Sequence, residues 1–314
     1  MTAEKTFDVT CVGLQAVDIL VSDVVQDVMQ KDLVITDNIK IATGGDAVNQ
    51  SIVLSKLGTK VCYTGQKTDD DMGNILLNDL RRYPIVLKLK ENRAGTPTSI
   101  VLIGKDKERH MVNRMGNNDT VGFEDIDLNC VRNSRILSIC GVLALQNFDG
   151  EGVMKLLDFA RKNEVKTVVD FSYKQNPYSY EDFKKLISLT DYILPSETEA
   201  SIITGIEDDP MEMAEKLRKM GAEKFVIKLG SKGCLVSDKG KVTALPPFPA
   251  KPLDSTGAGD NFCAGFIYSI LRGKNIIEAA RFGSACGAIA VSNYGANLGV
   301  KNVSQVLEFI SEGS

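Results

Sequence analysis

Residues 254–262 read "DSTGAGDNF". Gly257, Ala258 and Gly259 stand between Thr256 and Asp260, and a run of apolar residues at helical spacing follows. Glycine lets backbone N–H groups approach a ligand with no Cβ in the way. A helix start carries unpaired N–H groups and partial positive charge. Together they form an anion hole suited to phosphate. A carboxylate at the rim would be repelled by that phosphate, so Asp260 needs a purpose there. Proton removal from an attacking hydroxyl is one; capping the helix after a glycine turn is the other. This stretch alone leaves both open.

A second stretch, "TGGDAVNQSIVLSKLG", residues 43–58, repeats the device. Gly44 and Gly45 precede a helix, with Asn49 one turn in and Val48, Ile52 and Leu57 on its apolar side. A glycine pair followed by Asn brings backbone and amide groups to a polyol; a tight loop entering a helix would look the same. Other phosphate and nucleophile motifs are absent. There is no G-x-x-x-x-G-K-[ST] and no G-x-S-x-G. The G-x-G lacks the third glycine of a dinucleotide fingerprint and lies far from the first strand.

These stretches need a scaffold. Short apolar, β-branched runs ("FDVTCVGL", "RILSICGVLAL", "VKTVVDFS", "DYILPS", "KFVIKLG") alternate with helical patterns such as "GEGVMKLLDFARKN", "PMEMAEKLRKMG" and "NIIEAARFGSACGAIAVS". The alternation predicts an α/β fold with a mostly parallel central sheet between helices, a three-layer α/β/α core. Residues 16–45 and 94–115 break the rhythm with alternating polar and apolar residues. The second reads as a hairpin turning near "GKDKE", and the two predict a small β-sheet beside the main body. The expected division is 1–15, 46–93 and 116–314 for the core, 16–45 and 94–115 for the small sheet.

The 314 residues carry a formal net charge of −4. That gives no electrostatic case for nucleic acid or an anionic membrane. No apolar run approaches the roughly 18 residues of a spanning helix, and the first residues lack a signal-peptide pattern; a cytoplasmic protein is expected. The seven cysteines form no C-x-x-C pair and read as buried reduced thiols. The single histidine, His110, argues against a His-rich metal site and reads as a polar residue on an exposed strand.

Taken together, "GLQAVDIL", the Gly-Gly stretch, "DDDMGNILLNDL", "PSETEA", "KLGSKGCLV" and "DSTGAGD", in that order, resemble the ribokinase-like (PfkB) carbohydrate kinase family over nearly the whole chain. The last is close to the family's D-T-x-G-A-G-D signature, with Ser255 where Thr is usual. The resemblance implies an ATP-dependent kinase that phosphorylates a hydroxyl of a sugar or sugar derivative. It implies Asp260 as general base and Gly257, Ala258 and Gly259 as anion hole. It implies Asp18, Gly44, Gly45 and Asn49 at the sugar, with Arg114 a further candidate. Ser196, Lys228, Gly230 and Gly233 are expected at the nucleotide beside Gly257 and Gly259. Glu199 is expected to order Mg2+ through water. Asp254, Thr256, Ala290, Gly295 and Gly299 are expected at a possible K+ site. The small sheet is implied to be a lid over the sugar and a possible homodimer surface. The base needs no raised pKa for its role, because a sugar hydroxyl gives up its proton late. A closed lid would exclude water and limit ATP hydrolysis.

Three positions depart from the family pattern. Ser196 stands where the N-x-x-E motif has Asn, Ala16 stands where ribokinase has an Asn near the sugar, and Asp46 puts a carboxylate beside the glycine pair. Residues 16–45 and 94–115 contain no Phe, Tyr or Trp, which weakens a nucleoside kinase against a sugar kinase, although Phe148 or Phe171 could supply an aromatic surface. A non-catalytic sugar- or nucleotide-binding regulator of the same fold is the third reading. Arg114 would either meet a sugar carboxylate bidentately, pair with Asp46, or lie solvated on the lid.

Overall fold

This computed structural model describes residues 5–25, 27–36, 38–104, 109–172 and 178–313. The strands in chain order are β1 (Phe7–Gly13), β2 (Ala16–Val24), β3 (Ile39–Gly44), β4 (Val61–Thr68), β5 (Ile85–Asn92), β6 (Thr98–Gly104), β7 (Arg109–Arg114), β8 (Ser134–Val142), β9 (Lys166–Phe171), β10 (Tyr192–Ile193), β11 (Lys224–Lys228), β12 (Cys234–Asp238) and β13 (Lys241–Leu245). They form two sheets.

The larger sheet has the order β13-β12-β11-β10-β9-β8-β1-β4-β5. Every pairing from β5 to β11 is parallel, and only the β11–β12 and β12–β13 pairings are antiparallel. A strand alternates its side chains between faces, and β8 shows what that does here. Ile136 and Cys140 pack into one core with Val48, Phe262 and Phe266; Leu137 and Ile139 pack into a second with Leu156 and Phe183. The sheet is therefore covered on both faces, as the near-continuous apolar strands require. This is the expected α/β/α architecture.

The helical patterns lie where the sequence places them. Pro210–Lys219 starts with Pro at its first turn and Asp209 as N-cap, and it buries Met213 and Leu217. Glu151–Lys162 and Ile276–Val291 match the other two patterns. All seven cysteines are free and buried. Among the described residues no helix is long and apolar enough to cross a membrane.

The smaller sheet has the order β3-β2-β6-β7. Its strands leave the core directly after β1 and β5 and return into the helix Asp46–Lys56 and the turn Gly116–Asp119. The expected hairpin is β6–β7, with Ile103 paired to Arg109; its tip at 105–108 lies outside the described residues. His110 is exposed on β7. The register sorts the faces. Ala42, Asp18, Ser99 and Asn113 lie abreast, and so do Thr43, Val17, Thr98 and Arg114 one position along. Adjacent rows point to opposite faces.

The order of the larger sheet reverses at β1: the chain goes first to β4 on one side and later to β8 on the other. In open α/β sheets, the crevice at the carboxyl ends of such strands is where ligands bind. Gly13, Val142, Phe171 and Lys228 end β1, β8, β9 and β11 on that rim.

Candidate active site

The helix Ala258–Leu271 opens on this rim. Gly257 is its N-cap, left-handed at φ 75°, and no side chain caps this end. A Cβ on Gly257 would collide with the Ala296 carbonyl, so both the backbone angle and the close approach require glycine. Ala258 N–H donates to the Ser255 carbonyl at 3.3 Å, and the Gly259 and Asp260 N–H groups of the first turn are left for a ligand. Asp260 is buried in the first turn and does not cap the helix. That removes the helix-capping explanation of this carboxylate.

Asp260 is held from the second glycine stretch. Asn49 Nδ2 donates to Asp260 Oδ2 at 2.7 Å, across 211 positions of sequence. Asn49 lies one turn into Asp46–Lys56, whose N-cap is Gly45. Gly44 is needed for a different reason: a Cβ there would strike Asp18 Oδ2. The structure therefore brings Asp18, Gly44, Gly45, Asn49 and Asp260 to one crevice. Asp18 sits on the small-sheet face shared with Ser99, to which it is hydrogen-bonded. Burial pushes its carboxyl up to about 6, against the Ser99 bond that lowers it.

Two acidic residues join this crevice that the sequence did not assign a role. Carboxylate oxygens of Asp46, Asp170 and Asp260 all lie within 4.8 Å of one another. Asp170 comes from β9 and is paired with Lys228 from β11, Nζ to Oδ1 at 2.7 Å. It also accepts from Gln50 Nε2 at 3.0 Å, and Ser138 donates to Gln50 at 2.8 Å. Burial and then the nearby Asp170 charge push the Asp260 carboxyl up to about 7, although Asn49 and Lys228 pull it down. The base role did not demand a raised value; burial, with the neighbouring carboxylates, produces one. Asp46 is raised by burial, then by Asp260 and Asp170. Burial works against the Lys228 charge, but Asp170, Cys263 and Glu199 together more than offset it and hold the amine charged.

The expected nucleotide residues are adjacent. Ser196 bridges Lys228 in parallel, and the Lys228 N–H donates to the Pro195 carbonyl at 2.8 Å. Gly230–Lys232 is a turn closed by Leu229 N–H to the Gly233 carbonyl at 2.8 Å. The Lys228 side chain turns inward to Asp170, with its amine beside Gly259. Ser196 and Glu199 form a capping box on Glu197–Thr204: Ser196 N–H donates to Glu199 Oε2 at 2.7 Å and Glu199 N–H to Ser196 Oγ at 3.3 Å. Serine at 196 is therefore suited to capping its helix. Burial raises the Glu199 carboxyl, opposed by Lys228.

Asp254 is brought to the 290–299 loop. Its carboxylate accepts from Thr256 N–H and Gly295 N–H, each at 3.0 Å. The Ala290 carbonyl accepts from Asn293 N–H at 3.0 Å, and the Gly299 carbonyl from Gln305 Nε2 at 3.1 Å.

Arg114 is not brought to this crevice. It is exposed, its Nη2 donates to the Ala94 carbonyl at 3.0 Å, and its charge lies near Asp70. The reason is strand period: Arg114 stands in the row of Thr98 and Val17, one position from the row of Asp18 and Ser99. The pairing with Asp46 considered from sequence is not formed. Phe148 and Phe171 are buried in the second core, packed with Leu156 and Phe183, and offer no aromatic wall.

Asp170 and Asn297 could not have been found from motif spacing. Asp170 is the penultimate residue of an ordinary buried strand, and Asn297 lies in a glycine-bearing loop near the C-terminus. Asn297 is buried, and its Nδ2 donates to Asn49 Oδ1 at 2.9 Å and to the Thr43 carbonyl at 3.1 Å.

Comparison with known proteins bears on this geometry. The sequence profile described as pfkB family carbohydrate kinase matches residues 8–302. A ribokinase from Haemophilus influenzae is 31% identical over 282 residues, 87% of this chain and 89% of the relative. A 5-dehydro-2-deoxygluconokinase from Clostridium perfringens is 27% identical over 323 aligned residues, covering 98% of this chain and 94% of the relative. The crystal structure of a ribokinase from Thermotoga maritima superposes with a TM-score of 0.84 at 23% identity, covering 97% of this chain and 99% of that one; that likeness bears on the fold.

Proposed function

The chain belongs to the pfkB family of carbohydrate kinases, and we propose that it moves the γ-phosphoryl group of ATP to a hydroxyl of a neutral sugar, with Asp260 as the base. The observation that carries this reading is the placement of Asp260. A buried carboxylate, oriented by Asn49, stands in the first turn of an uncapped helix.

The substrate hydroxyl would lie between Asp260 and the phosphate bound at the helix mouth. Its oxygen attacks the γ-phosphorus, the bond to the β–γ bridging oxygen breaks, and ADP leaves with that electron pair. The hydroxyl proton passes to Asp260. The first-turn N–H groups after Gly257 meet the charge on the transferred group. Asp18 and Asn49 hold other hydroxyls of the sugar, and the small sheet forms the lid that excludes water. In this reading residues 16–45 and 94–115 make up that lid.

Hard oxygen donors suit magnesium, and in this reading Glu199 and the Asp170 carboxylate would hold it or its waters beside Lys228. The ion would supply charge neutralisation on the phosphates. Asp254 and the carbonyls of Ala290, Gly295 and Gly299 offer the oxygen donors a potassium ion takes; there it would brace the loop against Gly257. Ser196 and the Gly230–Gly233 turn would border the nucleotide.

Two observations favour a neutral sugar. Arg114 points away from Asp18, and Lys228 is already paired with Asp170. Asp18 then meets the sugar as a carboxylate without the Arg114 guanidinium beside it, which disfavours a sugar acid. A coupled assay of ADP release over matched neutral sugars, sugar acids and nucleosides tests this. A neutral sugar should have the highest kcat/KM; a preference for an acid or nucleoside would replace the reading.

A further inference from the structure

We infer that Asn297 is a positioning residue for phosphoryl transfer, fixing Asn49, and through it Asp260, to the end of lid strand β3. An Asn amide nitrogen carries two hydrogens. Asn297 spends one on Asn49 Oδ1 at 2.9 Å and the other on the Thr43 carbonyl at 3.1 Å. Thr43 is the penultimate residue of β3.

The first bond decides which way Asn49 faces. A carboxamide can turn over and exchange its oxygen and nitrogen. Turned over, Asn49 would aim Oδ1 at Asp260, acceptor against acceptor. With Asn297 donating to Oδ1, Nδ2 is the atom left for Asp260, and it donates there at 2.7 Å. Asn297 thus sets the orientation of a residue that holds the base, without touching the base.

Its own anchorage is suited to this. The Asn297 carbonyl accepts from Lys56 Nζ at 2.6 Å, at the end of the helix that carries Asn49. The preceding Ala296 carbonyl accepts from Asn261 Nδ2 at 2.6 Å, and Asn261 also donates to the Gly257 carbonyl at 2.7 Å. The loop is fastened to both helices that meet at the site. The second bond extends the chain to the lid: a shift of β3 at Thr43 would pull on the donor that orients Asn49.

The inference rests on Asp260 being the base. Asp170, Lys228 and Glu199 also face Asp260 and set its titration, and Asp46 and Cys263 lie close enough for its charge to raise theirs. Asn49 is the hydrogen-bond donor that lowers it. Loss of Asn297 should weaken that donor, so the base should hold its proton to higher pH.

The test compares Asn297→Ala and Asn297→Gln with the parent enzyme in kcat, the KM for ATP, thermal midpoint and the pH profile of kcat/KM. For Asn297→Ala, kcat should fall about tenfold, as expected for misplacement of a reacting group. The acid limb should move up by about half a pH unit, with the KM for ATP within about twofold. Asn297→Gln, which keeps the donor, should recover part of both. An acid limb unmoved in Asn297→Ala overturns the inference, whatever happens to kcat. If Asn297→Ala does not fold, Asn297→Ser carries the same comparison with the same criterion. Asp260→Asn is run beside them. If it stays active, the base assignment fails; if it is inactive while Asn297→Ala keeps the parental limb, only the positioning role fails.

Discussion

Asn49 and Asp260 are joined by a 2.7 Å hydrogen bond between two helices, each entered through glycine. Asp46–Lys56 starts after Gly44 and Gly45, and Ala258–Leu271 after Gly257. The two glycine stretches are thus halves of one site. In the proposed reading, one supplies the polar groups for a sugar, the other the phosphate cradle and the carboxylate between them.

Asp18 tests the sugar half. Its carboxylate fills the space over Gly44 and is hydrogen-bonded to Ser99 on the lid. Asp18→Ala removes a charged acceptor worth about 1.5–3 kcal/mol. The KM for sugar should rise roughly ten- to a hundredfold, while the KM for ATP stays nearly constant. Steady-state kinetics with each substrate varied in turn distinguishes this from a general loss of folded enzyme, which would lower kcat for both.

Lys228 tests the ion pair under the site. It is mostly buried and Asp170 almost wholly so, and their contact is 2.7 Å. Lys228→Met leaves a buried carboxylate without its cation, which costs about 3–5 kcal/mol. Chemical denaturation should show that loss. Lys228→Met combined with Asp170→Leu should recover much of the stability but not the activity. A single variant as stable as the parent would mean the pair carries little weight.

Asp46 tests the crowding of carboxylates through pH. Burial, Asp260 and Asp170 raise its carboxyl in the folded protein. The native state therefore binds this proton more tightly than the unfolded chain does. Its contribution to stability is present below the unfolded value, about 4, and is lost as pH rises through the folded value. Asp46→Asn should therefore raise the melting temperature at pH 8 by about 2 °C or more, with the gain shrinking towards pH 4. A gain independent of pH would assign the effect to packing.

Arg114 marks what strand period adds to a sequence reading. From sequence it could face a sugar acid; in the sheet its row is that of Thr98 and Val17, and its guanidinium meets the Ala94 carbonyl. Arg114→Leu should leave the ratio of kcat/KM for a sugar and its matching acid within about twofold, well below the effect of a lost bidentate contact. A tenfold change in that ratio would return Arg114 to the site.

The fold was legible because apolar, β-branched runs alternate with helical patterns, and the structure turns each quoted run into a strand. Gly257–Asp260 and Gly44–Asn49 were legible as ligand-holding stretches because glycine before a helix has a physical meaning in isolation. Asp170, Gln50 and Asn297 were not. Each acquires its place only when β9, the helix Asp46–Lys56 and the 290–299 loop meet. Arg114 needed the register of β6 and β7, which hydrophobic pattern alone left open at a single position.

Asp260→Asn is the most direct test of the central claim. The change keeps the shape of the side chain and removes the proton acceptor. Turnover of the best sugar, corrected for contaminating activity, should fall by at least about a hundredfold, the lower range for acid–base catalysis. ATP affinity by calorimetry and the thermal midpoint at pH 7 should be kept or improved, because a crowded carboxylate has been removed. In the parent enzyme, kcat/KM should decline below about pH 7, where Asp260 gains its proton. Turnover within a few-fold of the parent, with that decline still present in Asp260→Asn, would contradict the assignment of Asp260 as the base.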